Sequence, residues 1–206
     1  MAGTMPHAIF VETGLDGGAT VAAYAAELPG CAAFADGDSE AVAAIPRRVL
    51  HFSEWLRRND EAAPAFVGDN WYEVERAACD GTPLGRAAFS LDELPPSEEE
   101  WQRWLRWLEL AREELAEAID RAGLERLSGD PGMKAIAEQD EALARVLGGQ
   151  ASAAVTEPID RLYAARDALL EALESGGASA DGARRALRLA IADDLRLADR
   201  LRGDQG

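Results

Sequence analysis

Side chains suited to nucleophilic or metal chemistry are scarce in this sequence. It contains two histidines, His7 and His51, and two cysteines, Cys31 and Cys79. There is no Cys-x-x-Cys pair and no histidine within a few residues of either cysteine, a pattern unlike a zinc site or a disulfide framework. We interpret the histidines as surface residues and the cysteines as reduced thiols. We predict no catalytic residue, no bound cofactor and no metal site.

Carboxylates, by contrast, are abundant, and a carboxylate metal site or an acid–base pair could be built from them. The acidic clusters are Glu98–Glu100, Glu113–Glu114 with Glu117, and Asp193–Asp194. Most of them have arginines three or four positions away, which is the spacing of ion pairs along one face of a helix. We therefore interpret these clusters as solvated helix faces.

The net charge of the 206-residue chain is -17, from 38 acidic and 21 basic side chains. A field of this sign repels phosphate backbones, so we predict no direct binding of nucleic acid. It would attract a small basic protein. Solubility alone is the alternative explanation of the high charge.

The N-terminal residues do not form a basic segment followed by an apolar run, so we expect no secretory signal. No stretch approaches the ~20 apolar residues that a membrane helix needs. We expect a cytoplasmic protein without a membrane partner.

The first part of the chain alternates short apolar runs with turns. Strands are expected at residues 7–12, 19–24, 31–34 and 71–76. Gly14 to Gly18 are too few for a phosphate loop and join two strands, so they predict a hairpin turn. A helix is expected from Ser39 to Arg58, capped by Asp38 or Ser39 and kinked or shifted by Pro46. Val42, Ile45, Val49, Phe52 and Leu56 make its apolar stripe.

The second part of the chain has helical periodicity throughout. Ser97 and Glu100 form a capping-box pattern, and further helices begin near Asp130, Glu157 and Asp181. Four amphipathic helices with short breaks predict a four-helix bundle. The predicted fold class is α+β: a small antiparallel sheet with one or two helices, then an all-α four-helix bundle. The predicted domains are residues 1–80 and 97–206.

Residues 81–96 are predicted to be an ordered linker. Its apolar residues, Leu84, Phe89, Leu91 and Leu94 among them, are unlike the Gly/Ser-rich or charged composition of a free tether. We expect this segment to pack along both domains and to set their relative orientation.

Trp101, Trp104 and Trp107 are the most unusual cluster in the sequence. The first two share a face with Leu108, whereas Trp107 turns partly away. Trp107 is therefore the candidate interface residue, either under the other domain or in a homodimer contact. The alternative is that all three tryptophans fill the core.

Three features of residues 7–60 occur together: a hairpin with an Asp-Gly-Gly turn, the stretch Glu27–Cys31, and the helix opening Gly37–Ala41. With them the segment resembles the HicB-like domain of toxin–antitoxin antitoxins. The resemblance implies a small sheet with one or two helices that binds a small basic toxin. No helix-turn-helix or ribbon-helix-helix pattern follows, so operator binding is not implied.

The passage Phe89–Pro96, followed by Glu98, Glu99, Trp104 and Leu105, and the later stretch Arg161–Arg166 resemble a DinB-like bundle over residues 89–201. The resemblance implies a divalent metal held by three histidines, and some members are thiol transferases. Asp193 and Leu197 stand where the histidine pair of the last helix would fall. No histidine follows His51, so this metal site cannot be assembled.

These observations favour a non-catalytic protein-binding module of the HicB-like antitoxin type, whose partner is a small basic protein. The alternative is an enzyme related to the DinB-like thiol transferases that has lost its metal histidines. A homodimer is expected only if Trp107 needs a second copy to cover it.

Overall fold

A computed structural model of the chain describes residues 7–63, 70–80, 85–123, 127, 129–150, 155, 157–178 and 181–203. The chain is α+β and divides into two compact units, Met1–Leu91 and Asp92–Gly206. Leu84 and the rest of residues 81–84 of the predicted linker lie outside the described residues. Within the described ranges, no helix has the length and apolarity needed to cross a bilayer.

The first unit contains a four-stranded sheet. Its strands are β1 (His7–Leu15), β2 (Thr20–Ala25), β3 (Ala32–Ala35) and β4 (Trp71–Ala78), in the order β3-β2-β1-β4. The predicted hairpin is confirmed, since β1 and β2 are antiparallel and the chain turns through Asp16–Gly18. Gly17 and Gly18 have φ values of 72° and 96°, which glycine adopts without strain.

The prediction of an antiparallel sheet is wrong for one strand. β4 runs parallel to β1, whereas β1 with β2 and β2 with β3 are antiparallel. The reason is the helix α1 (Asp38–Arg58), which joins β3 to β4. Its 21 residues rise roughly 30 Å, enough to carry the chain back along the sheet, so β4 enters in the same direction as β3. Alternation of side chains in residues 71–76 carries no information about strand direction.

Helix α1 packs its apolar stripe against the sheet. Ile45, Val49, Phe52 and Leu56 are buried, as the spacing predicts. The helix passes through Pro46 and begins at Asp38. The side-chain cap is not formed: Gly37 occupies the cap position, and Asp38 pairs with Arg76 of β4 instead.

The opposite face of the sheet is covered by the chain that follows β4. Phe89 stacks on Phe10 with ring centroids 4.6 Å apart, and it also contacts Tyr24. Ala87 and Phe89 are buried. Ala87 and Phe89 therefore belong to the core of the first unit.

The second unit is helical. Its helices are α2 (Glu98–Ala122), α3 (Pro131–Val146), α4 (Pro158–Gly176) and α5 (Ala183–Gly203). Helix α2 packs on α5, and α3 packs on both α4 and α5. The predicted capping box is confirmed, because Ser97 and Glu100 bond to each other's backbone amides. One apolar cluster of this unit includes Leu115, Ile119, Met133, Leu162 and Leu197.

Candidate functional site

Charged and polar side chains from α2, α3, α4 and α5 meet in the interior of the second unit. We call this group the buried charge cluster: Arg112 of α2, Gln139 and Asp140 of α3, Arg166 of α4, and Asp193 and Asp194 of α5. Asp140 and Asp194 are each 1% exposed. Charges this deeply buried are costly unless they are paired, so their arrangement needs explanation.

Two pairs within the cluster satisfy each other. The guanidinium of Arg166 donates to both carboxylate oxygens of Asp194, with its Nε 3.4 Å from Oδ2. The side-chain amide of Gln139 donates to Asp193 across 2.6 Å. These contacts join α4 to α5 and α3 to α5. Arg166, Asp193 and Asp194 therefore each have a hydrogen-bond partner.

Asp140 is different, because neither of its carboxylate oxygens accepts a hydrogen bond from a described group. The Nε of Arg166 lies 4.0 Å from its Oδ2, which is an ion-pair contact and not a hydrogen bond. Burial raises the pKa of Asp140, although Arg166 and Arg112 act in the opposite direction. A protonated Asp140 would leave two carboxylates against two guanidinium groups in the cluster.

Arg112 also has unused hydrogen-bonding groups. Its Nε and Nη2 are buried and have no acceptor among the described residues. The residue as a whole is only half-buried, so it connects the cluster to the surface of the unit. Burial lowers the pKa of Arg112, while Asp140, Asp167 and Glu109 oppose that effect. The cluster therefore holds one unsatisfied cation and one unsatisfied carboxyl group.

The interpretation of Asp193 and Asp194 as a solvated helix face is wrong. Every residue of α5 from Ala186 to Leu195 is buried, so this stretch has no solvated face. The Ala/Leu-rich surroundings of the two aspartates were the only sequence signal of this. Glu98, Glu99, Glu113 and Glu117 are exposed, as predicted, and Glu117 pairs with Arg121.

The residues do not fit the divalent metal that the DinB-like resemblance implies. No group of three or more His, Cys, Asp or Glu side chains in the described ranges is arranged to hold a metal ion. Asp193 is buried in the cluster but bonds Gln139, and Leu197 belongs to the apolar core. The cluster instead combines guanidinium groups, carboxylates and one side-chain amide.

The prediction for Asp140→Asn follows from its raised pKa. A carboxyl group with a raised folded-state pKa costs stability as the pH rises from about its ordinary pKa of 3.8 through the folded-state pKa. The free energy of unfolding of the variant is expected to exceed that of the wild type by about 1–3 kcal/mol at neutral pH, and to equal it at low pH. Urea unfolding across this pH range tests it, with the exposed Asp120→Asn of α2 as control. Equal pH profiles for wild type and Asp140→Asn would contradict the assignment.

The first unit also has a buried carboxylate, but this one is hydrogen-bonded and its pKa is lowered. Glu12 of β1 is 0% exposed and accepts hydrogen bonds from Tyr24 Oη at 2.7 Å, Arg86 Nε at 3.0 Å and the Ala87 amide at 2.6 Å. Burial alone would raise its pKa, but Arg86 and the other donors lower it. This carboxylate secures residues 86–87 to the sheet, and its hydrogen bonds favour a structural role.

The histidines and cysteines all belong to the first unit. His51 is exposed on α1, as predicted. His7 is not a surface residue: its side chain is 14% exposed, its Nδ1 lies 3.1 Å from Glu27, and its ring centroid lies 4.6 Å from that of Trp71. Both cysteines are free thiols, and burial raises the pKa of Cys31 to about 12.

The three clustered tryptophans are all buried. Trp107 is 1% exposed, with the guanidinium of Arg103 5.9 Å from its ring centroid. Arg184 lies 4.5 Å from the ring centroid of Trp104. Trp107 therefore offers almost no apolar surface to a second copy of the chain. The predicted homodimer loses the observation on which it rested.

A second candidate site is the outer edge of β4, which we call the β4 edge. Among the strands that the structure describes, β4 is the last of the sheet and its pairing partner is β1. Tyr72 and Val74 are each 45% exposed. The pairing register shifts between Ile9 and Phe10, so Val74 forms a bulge. Glu73 bonds Arg76, and Glu75 accepts from Ser90, so these acids lie close to the edge.

Comparisons with protein-family models, curated proteins and solved structures found no match to this chain. The argument for function therefore rests on the buried charge cluster and the β4 edge.

Proposed function

We propose that the first unit is a non-catalytic protein-binding module of the HicB-like antitoxin type, and that it takes up an extended basic segment of a partner protein at the β4 edge. The observation that carries the proposal is an outermost strand with two exposed apolar side chains, Tyr72 and Val74. An unpaired strand edge is a template for a further strand, and the side chains beside it supply selectivity.

Charge favours a basic partner over a second copy of the chain. Residues 1–91 carry 13 acidic and 6 basic side chains. Two such edges would repel each other, and the bulge at Val74 further disfavours regular self-pairing. A basic segment is not repelled by the acidic unit, and opposite charge speeds its encounter with the edge.

The alternative function concerns the second unit, which we treat as a DinB-like relative of the thiol transferases without its metal. Its support is Asp193, which stands at a family metal position and is buried in the charge cluster. Leu197 at the other position cannot ligate a metal, so the DinB-like chemistry would have to proceed by other means. For this reason we place the alternative second.

Capture experiments with matched variants test the β4 edge. Tagged full-length chain is incubated with extract of its native host, and retained proteins are identified by mass spectrometry. We expect a small basic protein to be retained at low salt and to be released as salt rises, since the contact is partly electrostatic.

The double variant Tyr72→Lys/Val74→Lys should lose that protein, because it removes the apolar contacts and reverses the local charge. The control is Leu50→Lys, which places the same charge at an apolar side chain that is 64% exposed on α1. Retention of the same basic protein by the β4 double variant would contradict the proposal.

A further inference from the structure

Arg112 and Asp140 are the two members of the buried charge cluster whose hydrogen-bonding groups are unused. Arg112 presents Nε and Nη2, and Asp140 presents both carboxylate oxygens, without a partner among the described residues. The two residues interact electrostatically but do not form a direct ion pair. Folded proteins rarely leave buried donors and acceptors unsatisfied, and such exceptions occur at binding sites.

The geometry of these groups defines the chemistry of a ligand. Nε and Nη2 form one edge of the guanidinium, and this edge matches the two oxygens of a carboxylate. A carboxylate such as that of Asp140 accepts hydrogen bonds from an ammonium group. Arg166 is bonded to Asp194 and Asp193 to Gln139, so the hydrogen-bonding groups of Arg112 and Asp140 face no competing partner in these pairs, although Asp193 keeps its negative charge and acts on Asp140.

We propose that the second unit binds a free α-amino acid in this cluster, with the α-carboxylate on Arg112 and the α-ammonium group on Asp140. A zwitterion satisfies the unused cation and the unused anion together. It adds no net charge to the interior, where a singly charged ligand would leave one of the two groups uncompensated.

Arg112 is the more exposed of the two residues of the proposed site. Asp140 is 1% exposed, whereas Arg112 is half-buried and extends to the surface of the unit. Asp167 of α4 is exposed and Glu109 of α2 is half-buried, and both act electrostatically on Arg112. These acids would reject a ligand that carries only negative charge. The alternative occupant is ordered water, which also satisfies buried polar groups.

Thermal unfolding of the chain distinguishes a bound amino acid from ordered water. Each of the common α-amino acids is added at about 10 mM, with sodium acetate and methylammonium chloride as probes that carry one charge each. We expect at least one amino acid to raise the melting temperature by about 4 °C or more, the shift for roughly tenfold saturation of a domain this size. Acetate and methylammonium should have no such effect.

Calorimetry with the most effective amino acid then tests the two residues. Arg112→Gln and Asp140→Asn are expected to weaken its affinity by at least about tenfold, the loss of one charge-assisted bond. Arg121→Gln is the control, because Arg121 is exposed on the same helix and pairs with Glu117. Circular dichroism confirms that each variant is folded.

Two results would overturn the proposal. One is that none of the amino acids shifts the melting temperature, which would mean that water occupies the cluster. The other is that the folded variants bind as tightly as the wild type. Neither result bears on the β4 edge, which is in the other unit.

Discussion

Asp194→Asn is expected to lower the free energy of unfolding of the second unit by about 3–5 kcal/mol. Asp194 is 1% exposed and accepts hydrogen bonds from two nitrogens of Arg166, which is also buried. The asparagine removes the counter-charge and leaves a guanidinium in the interior. Asp140 cannot fully replace it, because its contact with Arg166 is at 4.0 Å.

Urea unfolding followed by circular dichroism measures this loss. Asp120→Asn, the same change at an exposed position of α2, should alter stability by no more than about 0.5 kcal/mol. The double variant Arg166→Met/Asp194→Leu should be more stable than Asp194→Asn, since it removes both buried charges together. A loss below about 1 kcal/mol for Asp194→Asn would show that the pair is solvated in solution.

Glu12→Gln is expected to destabilise the first unit by about 2–4 kcal/mol at neutral pH. The glutamine keeps the shape of the side chain but replaces one acceptor with a donor, which must face Arg86, Tyr24 or the Ala87 amide. It also leaves the largely buried Arg86 without its carboxylate. Residues 85–91 should then become easier to cleave by protease than in the wild type.

The pH dependence gives this prediction a second readout. The folded-state pKa of Glu12 is lowered from its ordinary value of 4.5, so its stabilising contribution is complete above that value. That contribution is lost as the pH falls through the folded-state pKa. Glu12→Gln should lack this acid-induced loss, whereas the exposed Glu54→Gln of α1 should keep it. Parallel pH profiles for wild type and Glu12→Gln would contradict the role assigned to Glu12.

Local features were predictable because they depend on neighbours in the sequence. The spacing of Ile45, Val49 and Phe52 predicted the buried face of α1, and Ser97 with Glu100 predicted the start of α2. Both patterns act within one or two turns of a helix. The strands and the hairpin turn were predictable on the same basis.

Strand direction and the degree of burial depend on contacts between distant parts of the chain. The direction of β4 follows from the path of α1, and neither appears in the alternation of residues 71–76. Trp107 was expected to turn away from the core, but a helix packed on several sides buries more than one stripe.

The buried charge cluster was outside the reach of sequence reasoning for the same reason. Asp193 and Asp194 resemble an ordinary acidic cluster on a helix surface. They are buried because the surrounding part of α5 is enclosed by the other helices. Arg112, Asp140 and Arg166 come from three other helices, so no local pattern links them. The sequence alone thus determined which segments are helices and strands. Tertiary packing decided which charges are desolvated, because burial is set by neighbours far away along the chain.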